Sequence, residues 1–149
     1  MDNYIAKLRQ FEGVITTDYS MLPELLPAQN IWNCTRNRIA AYKLQQEGIN
    51  IIPTASWSGL EDFDWCLDGL PNDSSIAIST NGSKATPYGK RIFTEGVDIL
   101  QERICPRHLI ICGREMPKLQ EKYDNIVYYP SFSQRWKERE CNGYRWFNA

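Results

Sequence analysis

The sequence predicts an α/β fold, in which a mainly parallel, five-stranded sheet alternates with helices and is preceded by an N-terminal helix. Three observations predict it. Five short runs are rich in β-branched and apolar residues. Segments able to form helices or long connections separate them. Capping and breaking residues fall at the joints.

The elements follow in order. Between Asn3 and Phe11, apolar side chains at Tyr4, Ile5, Leu8 and Phe11 have helical spacing, and Gly13 ends that helix. Val14-Ile15-Thr16-Thr17 is β-branched throughout and reads as the first strand, with Asp18-Tyr19-Ser20 as its loop. Met21 to Asn30 contains Pro23 and Pro27 and reads as a connection. Ile31 to Glu47 is the longest predicted helix, closed by Gly48.

Ile49 to Thr54 reads as the second strand. Pro53 near its end argues against a central pairing position there. Ser58 and Glu61 have capping-box spacing and open a helix through about Leu67, closed by Gly69 and Pro71. Ser75 to Ser79 is the third strand. Thr86 then caps a helix with Pro87 at its first position. Within it Ile92, Gly96, Ile99 and Arg103 share one face, as do Phe93, Leu100 and Ile104. Leu109 to Cys112 is a continuous apolar run, the pattern of a buried parallel strand. Pro117 to Tyr123 is a short helix, and Ile126 to Tyr129 the fifth strand.

Helix-length connections between successive strands imply parallel pairing and right-handed crossovers. Rossmann-like layers and a partial β/α barrel both satisfy this alternation. Residues 1–133 read as one α/β domain. Residues 134–149 read as a separate aromatic and basic tail, with Trp136, Tyr144, Trp146 and Phe147 among Arg135, Lys137, Arg139 and Arg145.

Composition narrows the function classes. The 149 residues are 42% apolar, a globular value. A domain of about 150 residues buries roughly 68–70% of its unfolded surface, so it needs no disulfide or metal to fold. Basic and acidic residues balance at 17 and 18, without the basic excess of a dedicated nucleic-acid binder. The five cysteines have no close pair, and His108 is the single histidine, so a zinc site is not expected. No cofactor is expected either. Scattered free thiols fit a reducing cytoplasm. No signal-like segment or membrane-length apolar run is visible.

In open parallel sheets, ligands sit beyond the carboxyl ends of the strands. That rule gathers Thr17, Asp18, Tyr19 and Ser20, then Ser56, Trp57 and Ser58, then Thr80, Asn81 and Gly82, then Gly113, Arg114 and Ser131, and helix starts on the same edge add Trp32, Asn33, Arg36 and Arg38. Asp18 is the candidate catalytic carboxylate. Arg36, Trp57, Thr80, Asn81, Gly82, Lys84 and Arg114 are the candidate ligand contacts. Trp57 or Trp32 offers a stacking surface. Asn81-Gly82-Ser83-Lys84 resembles an anion cradle, although it lacks the spacing of a phosphate-binding loop and also suits a plain turn. His108 precedes a strand, which sets it on the opposite edge from these groups. Strand-to-helix loops are polar in any case, because they cap helices.

A further set of short motifs occurs in order. It comprises Gly13 to Ser20, Ile31-Trp32-Asn33 with Arg38, Gly48-Ile49 with Ile52-Pro53 and Trp57, Phe63 to Pro71, and Ser79 to Gly82. These motifs resemble the domain of unknown function family 4417, met in bacteria, phages and mobile elements. The resemblance spans roughly Gly13 to Ser133 and brings no activity with it. It implies an accessory protein of phage or mobile-element type. The strand-end residues point to a nucleotide-like or phosphorylated small ligand. The competing reading is a non-enzymatic protein that binds a host or phage macromolecule, protein or nucleic acid, through the C-terminal tail. No membrane partner is expected.

Overall fold

The computed structural model describes residues 2–81, 86–131 and 134–137. Among the described residues, five helical segments and five strands alternate, and residues 134–137 form a further helical turn. The alternating elements are α1 (Asp2–Leu8), β1 (Val14–Ile15), α2 (Pro27–Gln46), β2 (Ile51–Ile52), a 3₁₀ helix (Leu60–Asp64), β3 (Ser75–Ser79), α3 (Pro87–Ile104), β4 (His108–Cys112), α4 (Pro117–Lys122) and β5 (Ile126–Tyr129).

All described strand pairs are parallel, but they do not form the single five-stranded sheet that the sequence suggests. β1 and β2 make one two-stranded sheet, in which Val14 faces Ile51 and Ile15 faces Ile52. β3, β4 and β5 make a second, three-stranded sheet. One isolated bridge, Thr54 to Ala77, connects them. Pro53 is the physical cause. Ala77 donates its N–H to the Pro53 carbonyl, and Ala55 donates to the Ala77 carbonyl, each at 2.9 Å. The next donor needed down this ladder is the N–H of residue 53, which proline lacks. The strand order runs in one direction with no reversal, so the crevice that a reversal creates in a doubly wound sheet does not arise.

β1 and β2 are also shorter than their β-branched runs. Past Ile15 and Ile52, threonine hydroxyls take over from the ladder. Thr54 donates its N–H to Thr16 Oγ1 at 3.0 Å, and its hydroxyl to the Thr17 carbonyl at 2.8 Å. Thr16 N–H still reaches the Ile52 carbonyl at 3.0 Å.

The core lies on one face of the three-stranded sheet. Ile76 and Ile78 of β3 and Leu109 and Ile111 of β4 pack against Phe93, Val97, Leu100 and Ile104 of α3, with Phe63 and Leu119. Ile76, Val97, Leu100, Leu109 and Ile111 are sealed from solvent. Each such aliphatic side chain contributes about 1.5–3 kcal/mol on burial. α3 starts as its sequence implies, with Pro87 in the first turn and Thr86 Oγ1 accepting from Gly89 N–H at 3.0 Å.

Two helix starts differ from expectation. α2 begins at Pro27 rather than Ile31, because proline at the first helical position loses no hydrogen bond. Gln29 Oε1 accepts from Leu26 N–H at 3.0 Å and secures that end. The helix expected from Ser58 to Leu67 is the 3₁₀ segment Leu60–Asp64. Its capping carboxylate is Asp62, not Glu61, and accepts from Ser58 N–H and Ser58 Oγ at 2.6 Å each.

α2 has no single apolar stripe. Its inner face carries Asn30, Cys34, Asn37 and Ala41. Ile31, Trp32, Ile39 and Tyr42 stand exposed. No helix among the described residues is long and apolar enough to cross a membrane.

Candidate functional site

Three asparagines of α2, Asn30 and Asn37 buried and Asn33 half-buried, fasten the loop that leaves β1. Asn37 Oδ1 accepts from Tyr19 N–H at 2.8 Å and from Thr17 Oγ1 at 3.3 Å. Asn30 Oδ1 accepts from Leu22 N–H at 3.1 Å, while its Nδ2 donates to the Leu22 carbonyl and to Ser58 Oγ, each at 3.0 Å. Asn33 Nδ2 donates to the Ser20 carbonyl at 2.8 Å. Positions 30, 33 and 37 share one helical face. Three amides thus set the path of residues 17–22 before any ligand arrives.

That loop forms one wall of a cavity of about 340 Å³ at the carboxyl ends of β1, β2 and β3. Asp18 and Ser20 come from the first strand end, Ser56 and Trp57 from the second, and Ser79 and Asn81 from the third. Met21, Ala55, Ile78 and Phe93 supply apolar surface. Ser79 Oγ accepts from Asn81 N–H at 3.1 Å and shapes the third edge.

Trp57 has little freedom within this wall. Its ring lies 5.2 Å from Phe63 and 5.9 Å from Phe93, and its Nε1 donates to the Ile92 carbonyl at 3.3 Å. Gly96 of α3 sits directly against the indole, where a Cβ would come within 2.4 Å of it. The indole therefore offers the cavity a fixed apolar surface.

Asp18 is open to solvent as a residue, yet protein packed around its carboxyl raises its pKa above the ordinary value of 3.8. Burial likewise raises the Cys112 thiol at the end of β4. Arg135 opposes that shift, and the Asp18 charge reinforces it. Asp18 and Arg135 therefore both act on the end of β4.

Of the candidate residues, Asp18, Trp57 and Asn81 line one cavity. Arg36 does not line it. Its guanidinium lies 3.6 Å from the centre of the Tyr19 ring, and it donates to Asn33 Oδ1 at 3.3 Å. Arg36 lies well inside α2, nine residues after its start at Pro27. Thr80 is buried and shapes the neighbouring loop, its Oγ1 accepting from Arg114 N–H at 3.0 Å. Gly113, at φ 131°, passes so close to Thr80 Oγ1 that a Cβ would collide with it. Gly82 and Lys84 lie outside the described residues, as do residues 138–149 of the tail. His108 begins β4, at the opposite end of the strands, and Ser75 Oγ lies 3.4 Å from its Nδ1.

Sequence reading passed over the asparagine clamp. Its signal was present, because three asparagines at one-face spacing inside a helix are costly unless they bond something. It also passed over a second, larger cleft of about 1020 Å³ at the amino ends of the strands, lined in part by Gly13, Arg38, Asn50, Pro53 and Ser75. Arg38, expected at the carboxyl edge, lines this cleft instead, because three carbonyls fix it there. It donates to Asp68 and Thr54 at 2.9 Å and to Cys66 at 2.8 Å. Among the described residues, no three His, Cys, Asp or Glu side chains are grouped to hold a metal ion.

The profile of DUF4417, a domain of unknown function, matches residues 1–130. The chain belongs to the DUF4417 family. This DUF4417 chain is 29% identical over 141 residues to the Gene 1 protein of Mycobacterium phage L5, covering 90% of itself and 58% of that protein. It is 28% identical over 134 residues to the Gene 1 protein of Mycobacterium phage D29, covering 90% of itself and 50% of that protein. The chain thus spans between half and three-fifths of the length of these curated phage relatives. No solved structure matches it.

Proposed function

We propose that this DUF4417 domain binds a small polar ligand in the cavity at the carboxyl ends of β1, β2 and β3, as part of an accessory function of phage or mobile-element type. One observation carries the reading. Asp18, Trp57 and Asn81, far apart in sequence and each following a different strand, line the same cavity. Its volume of about 340 Å³ falls at the small end of the range for ligand pockets, roughly 300–1,000 Å³. That size suits a nucleoside-like molecule.

The lining suggests how such a ligand would be held. Asp18 accepts hydrogen bonds from amino or hydroxyl groups. Ser20, Ser56, Ser79 and Asn81 both donate and accept. Trp57 and Phe93 cover an apolar face. A phosphate on the ligand would have to sit away from Asp18, since two charges about 4 Å apart repel by roughly 1–4 kcal/mol near a protein surface. The asparagine clamp lowers the ordering cost of binding by fixing residues 17–22 beforehand. Asp18 is the one carboxylate lining the described cavity, and as a general base it would act on a proton within hydrogen-bond reach.

The test is a thermal-shift and calorimetric screen with nucleosides, nucleotides and sugar phosphates, repeated with Asp18→Asn/Asn81→Ala. Binding that the double variant abolishes without loss of folding supports the site. Binding that survives in the double variant refutes it.

A further inference from the structure

The larger cleft, at the amino ends of the strands, has unpaired main chain on two walls. Asn50 and Ile52 give their carbonyls to Val14 of β1 and to Thr16 just beyond it. Peptide groups alternate in direction along a strand, so Ile51 turns its N–H and C=O away from β1, towards β3. On β3, Ser74 accepts from Arg107 and Thr80 donates to Cys112, whereas Ala77 bonds to the β2 side. By the same alternation, Ser75 turns its N–H and C=O towards β2. These two residues should form the next rung below the Thr54–Ala77 bridge, but no hydrogen bond joins β2 and β3 there. The missing N–H of Pro53 ends the ladder, and the cleft of about 1020 Å³ opens at that point.

The charged side chains of the cleft are largely engaged already. Arg38 holds three carbonyls. Arg107 pairs with Asp73 at 2.9 Å. Asn50 Nδ2 donates to the Glu12 carbonyl at 2.7 Å. The groups left to satisfy are main-chain donors and acceptors on strand edges, and the chemistry that matches them is another main chain in extended form. Phe11 and Tyr42, both well exposed, stand on the rim where side chains of such a strand would lie.

We propose that this cleft receives an extended segment of another polypeptide, which hydrogen-bonds to the free edges at Ile51 and Ser75. This interaction does not depend on the strand-end cavity, and its readout lies at the opposite end of the strands.

The test uses the full chain, ¹⁵N-labelled, and peptides enriched on it from a displayed library of random dodecapeptides. Enriched peptides should slow amide exchange at Ile51 and Ser75 about tenfold or more at saturation. Pro53→Val restores the missing donor, so β2 should close onto Ser75 and weaken the same peptides by about tenfold. If that variant does not fold, Ser75→Pro removes one edge donor at the first position of β3, where proline is tolerated, and should weaken binding similarly. Three results would overturn the proposal. One is enrichment no better than on an unrelated protein. The second is bound peptide that leaves Ile51 and Ser75 exchange unchanged, or that binds Pro53→Val and Ser75→Pro as well as the parent. The third is protection of the same amides by protein concentration alone, which would assign the cleft to a second copy of the chain.

Discussion

Gly96→Ala should destabilise the protein, although alanine is the better helix former. An ideal Cβ at position 96 would lie 2.4 Å from Trp57 Cε2, 2.5 Å from Nε1 and 2.6 Å from Cζ2. The indole cannot swing aside cheaply, because Phe63 and Phe93 pack against it and the Ile92 carbonyl holds its N–H. Overpacking of this kind costs about 1–3 kcal/mol. Loss of the indole hydrogen bond adds about 1 kcal/mol. Helix propensity returns about 1 kcal/mol. The net is roughly 1–3 kcal/mol, or about 2–12 °C in Tm for a chain of this length. Calorimetric melting of Gly96→Ala, Trp57→Phe and the double variant forms a cycle in which Trp57→Phe should rescue much of the loss. A Tm equal to or above the parent's, as for a solvent-facing helix glycine, would refute the packing argument. The same variant should impair the strand-end cavity, since Trp57 is one of its walls.

Three more predictions stand on other contacts. Arg38→Met leaves the carbonyls of Thr54, Cys66 and Asp68 without their donor, and should cost about 2–5 kcal/mol in urea denaturation, with Arg38→Lys recovering less than half; a loss below about 1 kcal/mol would show those carbonyls to be well solvated. Asp18, with its pKa raised in the folded state, binds its proton where the unfolded chain has released it, so its contribution to stability is largest at low pH and declines as pH rises through the raised value. Asp18→Asn should therefore be at least as stable as the parent at pH 7, with the difference narrowing on acidification; a variant less stable at pH 7 would contradict the assigned direction. Burial holds the Cys66 thiol up at about 12, and Cys34 is buried beside it, whereas Cys105 is exposed. Iodoacetamide followed by peptide mapping should label Cys105 in the native protein and Cys34 and Cys66 only after unfolding; early labelling of Cys66 would contradict its burial.

Much of the fold was legible because local signals and tertiary packing agree. β3 and β5 match their apolar runs, and α3 begins at the Thr86–Pro87 cap. Pro27 misled because one residue type both breaks helices and starts them. Pro53 was legible as a pairing defect, but its consequence was not. Splitting the sheet depends on which neighbour lacked a donor, and that is set by register across sequence-distant strands. The strand-end rule collected Asp18, Trp57 and Asn81 correctly in space, because parallel topology alone brings those ends together. It failed for Arg36, since helix phase and a nearby tyrosine decide where that side chain goes. The spacing of Asn30, Asn33 and Asn37 signals a polar helix face, but which loop that face fastens was not legible, because most of its partners are backbone groups that carry no residue-specific signal.

The proposed function requires the strand-end cavity to hold a small polar ligand. Native mass spectrometry of the protein as purified from cells, run beside Asp18→Asn/Asn81→Ala, tests it most directly. A reproducible small-molecule mass is expected on the folded parent and absent from the folded double variant. The same bound mass on both proteins, or a bare parent that also binds nothing in the nucleoside, nucleotide and sugar-phosphate screen, would contradict it.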